Sequence, residues 1–210
     1  MTRIAILYDG NFILHSSNYY CYIHDVKKRI SINGLQYYFK DVVSKITNES
    51  FEFLKISLSH YFRGRLNAFD ASTRGNQLYN DRVFDDILMS EGIQTHYLPL
   101  RNSLSKKEES GTTVGLSIEA IQIAEKKLAD VIVLVISDTE YIPLVRKLRE
   151  YDIYTIVAGW DFEYSNDDGI KVTTRTSQDL RTTADYSIYL TEEINEGLEN
   201  NDPTVEKIFI

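Results

Sequence analysis

The chain has 210 residues, a net charge of −8, and 43% hydrophobic and 26% charged residues, which is the profile of one ordinary globular domain. No run of about 18 apolar residues occurs, so we expect no transmembrane helix and no membrane partner. The apolar run at 4–7 is too short for a signal peptide. The single cysteine, Cys21, excludes an internal disulfide and a cysteine-based zinc site, and it fits a reducing cytoplasm.

The negative charge is concentrated at one end of the sequence. The segment from Asp161 to Ile210 holds 12 of the 31 acidic residues and 4 of the 23 basic residues, so it carries the whole excess, and the first 160 residues are neutral. We therefore expect the last quarter not to contact phosphate. A basic strip elsewhere in the chain remains compatible with a nucleic-acid partner.

Apolar patterning predicts strands that alternate with helices. Arg3 to Tyr8 is a nearly continuous apolar run that ends in Asp9-Gly10-Asn11, as a buried strand followed by a turn does. The other predicted elements, in chain order, are a helix at Leu35 to Ile46, a strand within Phe51 to Arg65, a helix at Asn80 to Met89 ended by Gly92, a strand at Ile93 to Leu98, a helix at Thr113 to Leu128 capped by Thr112 or Thr113, a strand at Val131 to Ile136, a helix at Glu140 to Glu150, a strand at Ile153 to Ala158 and a short strand at Tyr186 to Leu190.

This alternation predicts an α/β fold with a doubly wound, mainly parallel sheet and helices on both faces. We expect one domain over residues 1–190 and an acidic C-terminal extension over residues 191–210. The last three residues of that extension, Ile208-Phe209-Ile210, are apolar and could dock on the domain or on a partner. In such sheets ligands bind outside the carboxyl ends of the strands. The loops at residues 9–11, 111–113 and 137–140 are expected at that edge.

Acidic side chains follow two of the predicted strands. Asp9 comes directly after the first strand, Asp138 comes after the most apolar strand, and Glu140 lies two residues further on. If the two strands are neighbours, these carboxylates converge, and crowded carboxylate oxygens suit Mg²⁺ or Mn²⁺. Each acid also has an ordinary structural explanation, as a turn former or a helix N-cap.

Four segments resemble the motifs of the NYN domain family, a group of PIN-like proteins that includes LabA-like members. In family order they are ILYDGNF (6–12), GTTVGLSIEAIQIA (111–124), VLVISDTEYIPLVRKLRE (133–150) and SQDLRTTADYSIYL (177–190). The third is the most specific, and the middle of the chain, residues 13–105, matches only in rhythm. The resemblance implies a PIN-like fold and a metal-dependent endoribonuclease that cleaves single-stranded or structured RNA.

The resemblance also implies roles for individual residues. Asp9, Asp138 and Glu140 would hold Mg²⁺ or Mn²⁺, and Glu119 would support this cluster. Thr113 stands where the family usually has an aspartate, so one negative charge is missing. Asn11 and Thr113 would position water or phosphate. The alternative is a catalytically silent RNA-binding or regulatory domain.

Contacts with RNA are expected from basic side chains. Arg146 is the strongest candidate, since it lies in the helix that Asp138 opens. The other candidates are Arg63, Arg65, Lys106 and Lys107. A solvated charged face is the alternative for most of them. A third interpretation of the chain is an interaction module, such as a homodimer, that uses the aromatic surface and the acidic C-terminal region.

Other common functional motifs are missing from the sequence. Neither a Walker A motif nor a G-x-G-x-x-G motif occurs, so no nucleotide cofactor is expected. The four histidines lack the spacing of metal ligands and are expected to be structural. They are His15, His24, His60 and His96.

Overall fold

The structure is a computed structural model that describes residues 1–102, 107–108, 111–165, 169 and 171–210, with the side chains of 101, 102, 107 and 108 left aside. Its strands are β1 (Thr2–Asp9), β2 (Leu54–Arg65), β3 (Gln94–Pro99), β4 (Arg101–Asn102), β5 (Lys107–Glu108), β6 (Val131–Val135), β7 (Tyr154–Gly159), β8 (Phe162–Ser165), β9 (Lys171–Thr174) and β10 (Tyr186–Tyr189). Its α-helices are α1 (Gly10–Asn18), α2 (Ile32–Thr47), α3 (Ala68–Ser72), α4 (Gln77–Ser90), α5 (Thr112–Glu125), α6 (Ile142–Arg149), α7 (Gln178–Thr183), α8 (Leu190–Glu199) and α9 (Pro203–Glu206). A π-helical turn, Tyr19–Ile23, follows α1, and short 3₁₀ turns lie at Phe51–Phe53 and Thr139–Tyr141.

Six strands form one parallel sheet in the order β10-β7-β6-β1-β2-β3. The chain first builds outward from β1 through β2 to β3, then crosses over to β6 on the other side of β1 and continues through β7 to β10. The strand order therefore reverses between β1 and β6. These two strands pair directly, with Tyr8 opposite Val135 in the register. This reversal opens a crevice at the carboxyl ends of β1 and β6.

Helices cover both faces of the sheet, as the sequence predicted. Alternate residues of β1 point to opposite sides, so Ile4, Ile6 and Tyr8 join one buried cluster, whereas Ala5 and Leu7 join the other. The helices α1, α2, α4, α8 and α9 pack on the first side, and α5, α6 and α7 pack on the second. The central strand β6 is buried along its whole length, which explains its continuous apolar sequence.

The start of α5 differs from the prediction. Neither Thr112 nor Thr113 is the N-cap, because both lie inside the helix, and the cap is Gly111 with a φ of 94°. Glycine adopts this left-handed conformation without a steric penalty. The helix consequently begins one residue earlier than expected, and Thr113 projects from its first turn.

The segment expected as an acidic extension packs on the domain. Ile194, Val205, Ile208 and Phe209 are buried in the same cluster as the first strand. The chain end also pairs with the segment before α2, since the backbone N–H of Ser31 donates to the Ile208 carbonyl at 2.7 Å. The final apolar residues thus dock on the body of the protein. No helix within the described residues is long and apolar enough to cross a membrane.

Gly34 provides a test of this docking. A Cβ at this position of α2 would overlap the backbone carbonyl of Lys207, so Gly34→Ala must push the C-terminal segment away. Overpacking of this kind costs about 1–3 kcal/mol, and we expect urea unfolding to show a loss of that size. The matched control is Gly115→Ala in α5, where a Cβ would lie 3.6 Å from the Phe62 ring, an ordinary contact. A Gly34→Ala protein as stable as this control would contradict the packing described for the chain end.

Candidate active site

A polar cleft of about 390 Å³ lies at the carboxyl ends of β1 and β6, where the strand order reverses. Its walls come from the turns after these two strands, the start of α5 and the hairpin after β7. The residues that line it are Asp9, Asn11, Phe12, His15, Thr112, Thr113, Ser137, Asp138, Tyr141, Thr173, Thr174 and Arg175. Four of the six predicted catalytic residues are therefore at one cavity: Asp9, Asn11, Thr113 and Asp138.

Asp9 is the most constrained side chain of the cleft. Its Oδ1 caps α1 by accepting hydrogen bonds from the backbone N–H groups of Asn11 and Phe12, both at 3.1 Å. Its Oδ2 accepts a hydrogen bond from the Tyr141 hydroxyl, also at 3.1 Å. The structural role that the sequence allowed for Asp9 is thus real. It coexists with the position of the carboxylate in the wall of the cleft.

Burial raises the pKa of Asp9 above its usual range, and the charge of Asp138 adds to this effect. The hydrogen bonds from Phe12, Tyr141 and Asn11 oppose the shift by stabilising the ionised form. This carboxylate has lost part of its hydration, and within the described residues no ion pair with a positively charged side chain offsets that loss. A cation in the cleft would compensate for that loss.

Asp138 occupies the matching position after β6. Its Oδ1 accepts hydrogen bonds from the backbone N–H of Glu140 and from the Thr139 hydroxyl, each at 3.1 Å, which fixes the turn into α6. In contrast to Asp9, the side chain is exposed. The cleft is therefore bounded by one half-buried and one exposed carboxylate.

Tyr141 connects the two sides of the cleft, and it was not among the residues predicted from the sequence. Its ring is 1% exposed, and its hydroxyl reaches from the turn after β6 to Asp9 at the end of β1. Burial and the charge of Asp9 raise the pKa of Tyr141 well above its usual range, while a hydrogen bond with Thr113 opposes the shift. Tyr141 is thus a neutral donor that holds Asp9, with Thr113 beside it.

Arg175 and His15 also line the cleft and were not predicted to do so. Arg175 is exposed, and its guanidinium lies 3.9 Å from a carboxylate oxygen of Glu163. It directly follows β9, in the hairpin that succeeds β7 at the carboxyl edge of the sheet. Ligands of such sheets bind outside the carboxyl ends of the strands, and this rule points to the segment after β9 as well as to the other loops. Its acidic composition was a misleading guide, because the last quarter of the chain contributes a positive charge to the cleft.

Two predicted acidic residues lie outside the lining of the cleft. Glu140 is exposed in the 3₁₀ turn that follows Asp138. Glu119 projects from α5 towards the sheet, where its Oε1 lies 3.9 Å from Nε2 of His60. Together with His96, these side chains form a separate cluster whose potential ligand atoms all lie within 4.8 Å of one another. Within the described part of the cleft, only Asp9 and Asp138 supply carboxylates.

The predicted RNA contacts are scattered. Arg65 is engaged by acidic side chains, at 2.8 Å from Asp85 and 3.9 Å from Asp81, which favours a structural role. Arg63 is half-buried in β2, and Arg146 is exposed in α6, but neither lines the cleft. Lys106 and the side chain of Lys107 lie outside the described residues.

The fold and the cleft define a doubly wound α/β domain with an acidic, polar crevice at its topological switch point. A family model, the NYN domain, matches residues 3–191. The chain belongs to the NYN domain family, which has a PIN-like nuclease fold and whose members generally act on RNA.

Comparison with solved structures agrees at the level of the fold. A protein of unknown function from Vibrio parahaemolyticus has a TM-score of 0.57 at 18% identity, covering 90% of this chain and 92% of that chain. MurG from Acinetobacter baumannii has a TM-score of 0.40 at 8% identity, covering 89% of this chain and 40% of that chain. This TM-score is too low to support any argument. No curated protein matches the chain significantly.

The raised pKa of Asp9 predicts a pH-dependent stability in the absence of divalent cations. The pKa of Asp9 in the folded state lies above its ordinary value of 3.8, so the folded state binds the proton more tightly than the unfolded state does. The free energy of unfolding therefore falls as the pH rises from the unfolded-state pKa to the folded-state pKa. Asp9→Asn removes the charge but keeps a good N-cap. We expect this variant to be more stable than the parent chain at pH 7, with a smaller difference below pH 3.8.

Urea unfolding at both pH values measures this difference. Asp138→Asn serves as the comparison, since this exposed carboxylate has no comparable loss of hydration. An Asp9→Asn protein that is less stable than the parent at pH 7 would show that the ionised carboxylate contributes net stability without a cation.

Proposed function

We propose that the protein is a divalent-cation-dependent endoribonuclease. The observation that supports this most directly is the convergence of Asp9 and Asp138, from adjacent parallel strands, on one polar cleft at the switch point of the sheet. Membership of a family that generally acts on RNA supports the choice of substrate. Single-stranded or structured RNA is the proposed substrate class, and cytoplasm the proposed location.

The residues of the cleft fit Mg²⁺ or Mn²⁺. The donors are hard oxygens: the carboxylates of Asp9 and Asp138, the amide of Asn11 and the hydroxyls of Thr113 and Ser137. Mg²⁺ usually keeps several waters and uses one or two carboxylates together with substrate phosphate, so two acids are sufficient. The half-buried, imperfectly compensated charge of Asp9 is a further reason for a cation at this position.

A bound cation of this kind polarises phosphate and makes water a better nucleophile at neutral pH. Asp9 is held in a single orientation by the start of α1 and by the Tyr141 hydroxyl, so no reorganisation is needed when the substrate binds. Arg175 at the rim of the cleft would hold a substrate phosphate. Asn11 and Thr113 would orient water or phosphate oxygens.

The proposed reaction is hydrolysis of an RNA phosphodiester. The oxygen of a water molecule attacks phosphorus, the bond from phosphorus to the 3′ oxygen breaks, and that oxygen takes up a proton. The products are a 5′-phosphate end and a 3′-hydroxyl end. Glu140 and Glu119 are assigned no step in this proposal, because neither side chain lines the cleft.

A second function is supported by one specific observation. Thr113 lines the cleft at a position where a carboxylate would add a third negative charge, and its hydroxyl instead interacts with Tyr141. A cleft with two carboxylates binds a cation more weakly than one with three. The alternative is therefore a domain that binds RNA in this cleft without cleaving it.

Asp138→Asn tests the proposed reaction. We expect the parent chain to cleave labelled single-stranded RNA in the presence of Mn²⁺ or Mg²⁺ and to lose this activity when a chelator is added. In the variant the rate should fall by about 10²-fold or more, because charge stabilisation at the reacting phosphate is lost. Asp86→Asn is the matched control, since Asp86 is an exposed acid on α4, away from the cleft. Equal rates in the two variants would refute a role of Asp138 in cleavage.

Thr113→Asp separates the two functions. If the chain cleaves RNA, the added carboxylate should lower the Mn²⁺ concentration needed for half-maximal activity, because a third charged oxygen binds the cation more tightly. Measurement of the rate against Mn²⁺ concentration, for parent and variant, tests this expectation. Cleavage gained only in the variant, with RNA binding already present in the parent chain, would favour the silent domain.

A further inference from the structure

A second group of potential metal ligands lies apart from the cleft, on the face of the sheet that α5 covers. His60 projects from the middle of β2, His96 from the edge strand β3, and Glu119 from α5 above them. Three elements far apart in the sequence thus each contribute one side chain. None of the three side chains lines the cleft that contains Asp9.

The geometry of this group is close to that of a metal site. Nδ1 of His60 and Nε2 of His96 form a hydrogen bond of 2.9 Å, which leaves Nε2 as the nitrogen of His60 that can bind an ion. This Nε2 lies 3.9 Å from Oε1 of Glu119. Two ligands that are each about 2.0–2.2 Å from one ion can be no more than about 4.4 Å apart. The second distance therefore leaves room for an ion between His60 and Glu119. One ligand atom from each residue lies within 4.8 Å of the others.

An unpaired ring nitrogen points to a missing ligand. His60 is only 3% exposed, and its Nε2 has no hydrogen-bond partner within the residues that the structure describes. A buried polar group left without a partner destabilises the folded state. The 3.9 Å separation from Glu119 is too long for a hydrogen bond. An ion held between the two side chains would give Nε2 of His60 a partner.

The rings are also prepared for coordination. Phe62 stacks on His96 with ring centroids 4.2 Å apart and an interplanar angle of 8°. This contact fixes the orientation of the ring. His96 and Glu119 are only partly buried, so an ion could enter from their side.

We propose that His60, His96 and Glu119 form a binding site for a divalent transition-metal ion of the zinc class. Two imidazoles and one carboxylate are a ligand set that zinc accepts, and they leave at least one coordination position for water. The same set is less suited to Mg²⁺, which prefers oxygen ligands. The ion would link the edge strand β3 to β2 and α5. This site is distinct from the proposed Mg²⁺ or Mn²⁺ site at Asp9.

Titration with Co²⁺, followed by visible absorption, tests the site directly, and competition by Zn²⁺ measures the relative affinity. We expect one Co²⁺ per chain, displaced by Zn²⁺, and a rise in the midpoint of thermal unfolding when Zn²⁺ is added. Loss of one ligand should weaken binding at least about tenfold. The variants are His96→Gln and Glu119→Gln, the latter a conservative change at a partly exposed position that should preserve the fold.

Two controls identify the source of any signal. His24→Gln changes a histidine outside the group and should leave Co²⁺ binding unchanged. Asp138→Asn alters the cleft and should also leave it unchanged. Absence of a Co²⁺ spectrum, equal affinity in Glu119→Gln and the parent chain, or loss of the spectrum only in Asp138→Asn would each overturn the proposal. Because the readout is metal binding, failure here is independent of whether the chain cleaves RNA.

Discussion

The direct parallel pairing of β1 with β6 is the constraint on which the rest of the molecule depends. These strands are far apart in the sequence, yet they end side by side because the chain returns to the opposite side of β1 after completing β3. The connections that leave them pack on opposite faces of the sheet, α1 on one and α6 on the other. The edge between them is consequently left uncovered. Asp9 and Asp138 occupy that edge. The order of the strands therefore creates the cleft, and the side chains determine only its chemistry.

Asp9 shows how structure and proposed function use the same atoms. One carboxylate oxygen terminates α1, and the other accepts the Tyr141 hydroxyl, so the side chain is fixed by local backbone and by a distant ring. These contacts stabilise the ionised form only in part, because burial still raises the pKa. An acid that is fixed and incompletely compensated is suited to a cation. The fixed geometry also means that changes at Tyr141 would act through Asp9.

The sequence predicted most of the fold because apolar periodicity depends on local burial. All six strands of the main sheet and the long helices α2, α4, α5 and α6 were anticipated, with boundaries a few residues off. The region after β1 was not interpretable, and it contains α1 and a π-helical turn whose aromatic residues pack on the C-terminal segment and on β8. Those contacts join residues that are far apart in the sequence, so no periodic pattern predicts them. The sequence left open whether the apolar end of the acidic tail docks on the domain or on a partner, and the buried Ile208 and Phe209 show that it packs on the domain.

The sequence by itself determined which loops follow the buried strands or open a helix at the binding edge, and the family resemblance pointed to individual residues in them. Together these were sufficient to predict Asp9, Asn11, Thr113 and Asp138 as neighbours. Only the tertiary structure decided that Glu119 faces His60 and His96 instead, that Tyr141 reaches Asp9, and that Arg175 reaches the cleft. The physical reason is the length scale of each effect. Hydrophobic alternation fixes where a strand lies and where it ends. How complete elements pack together decides which way a helical side chain points and whether a distant hairpin returns to the same edge.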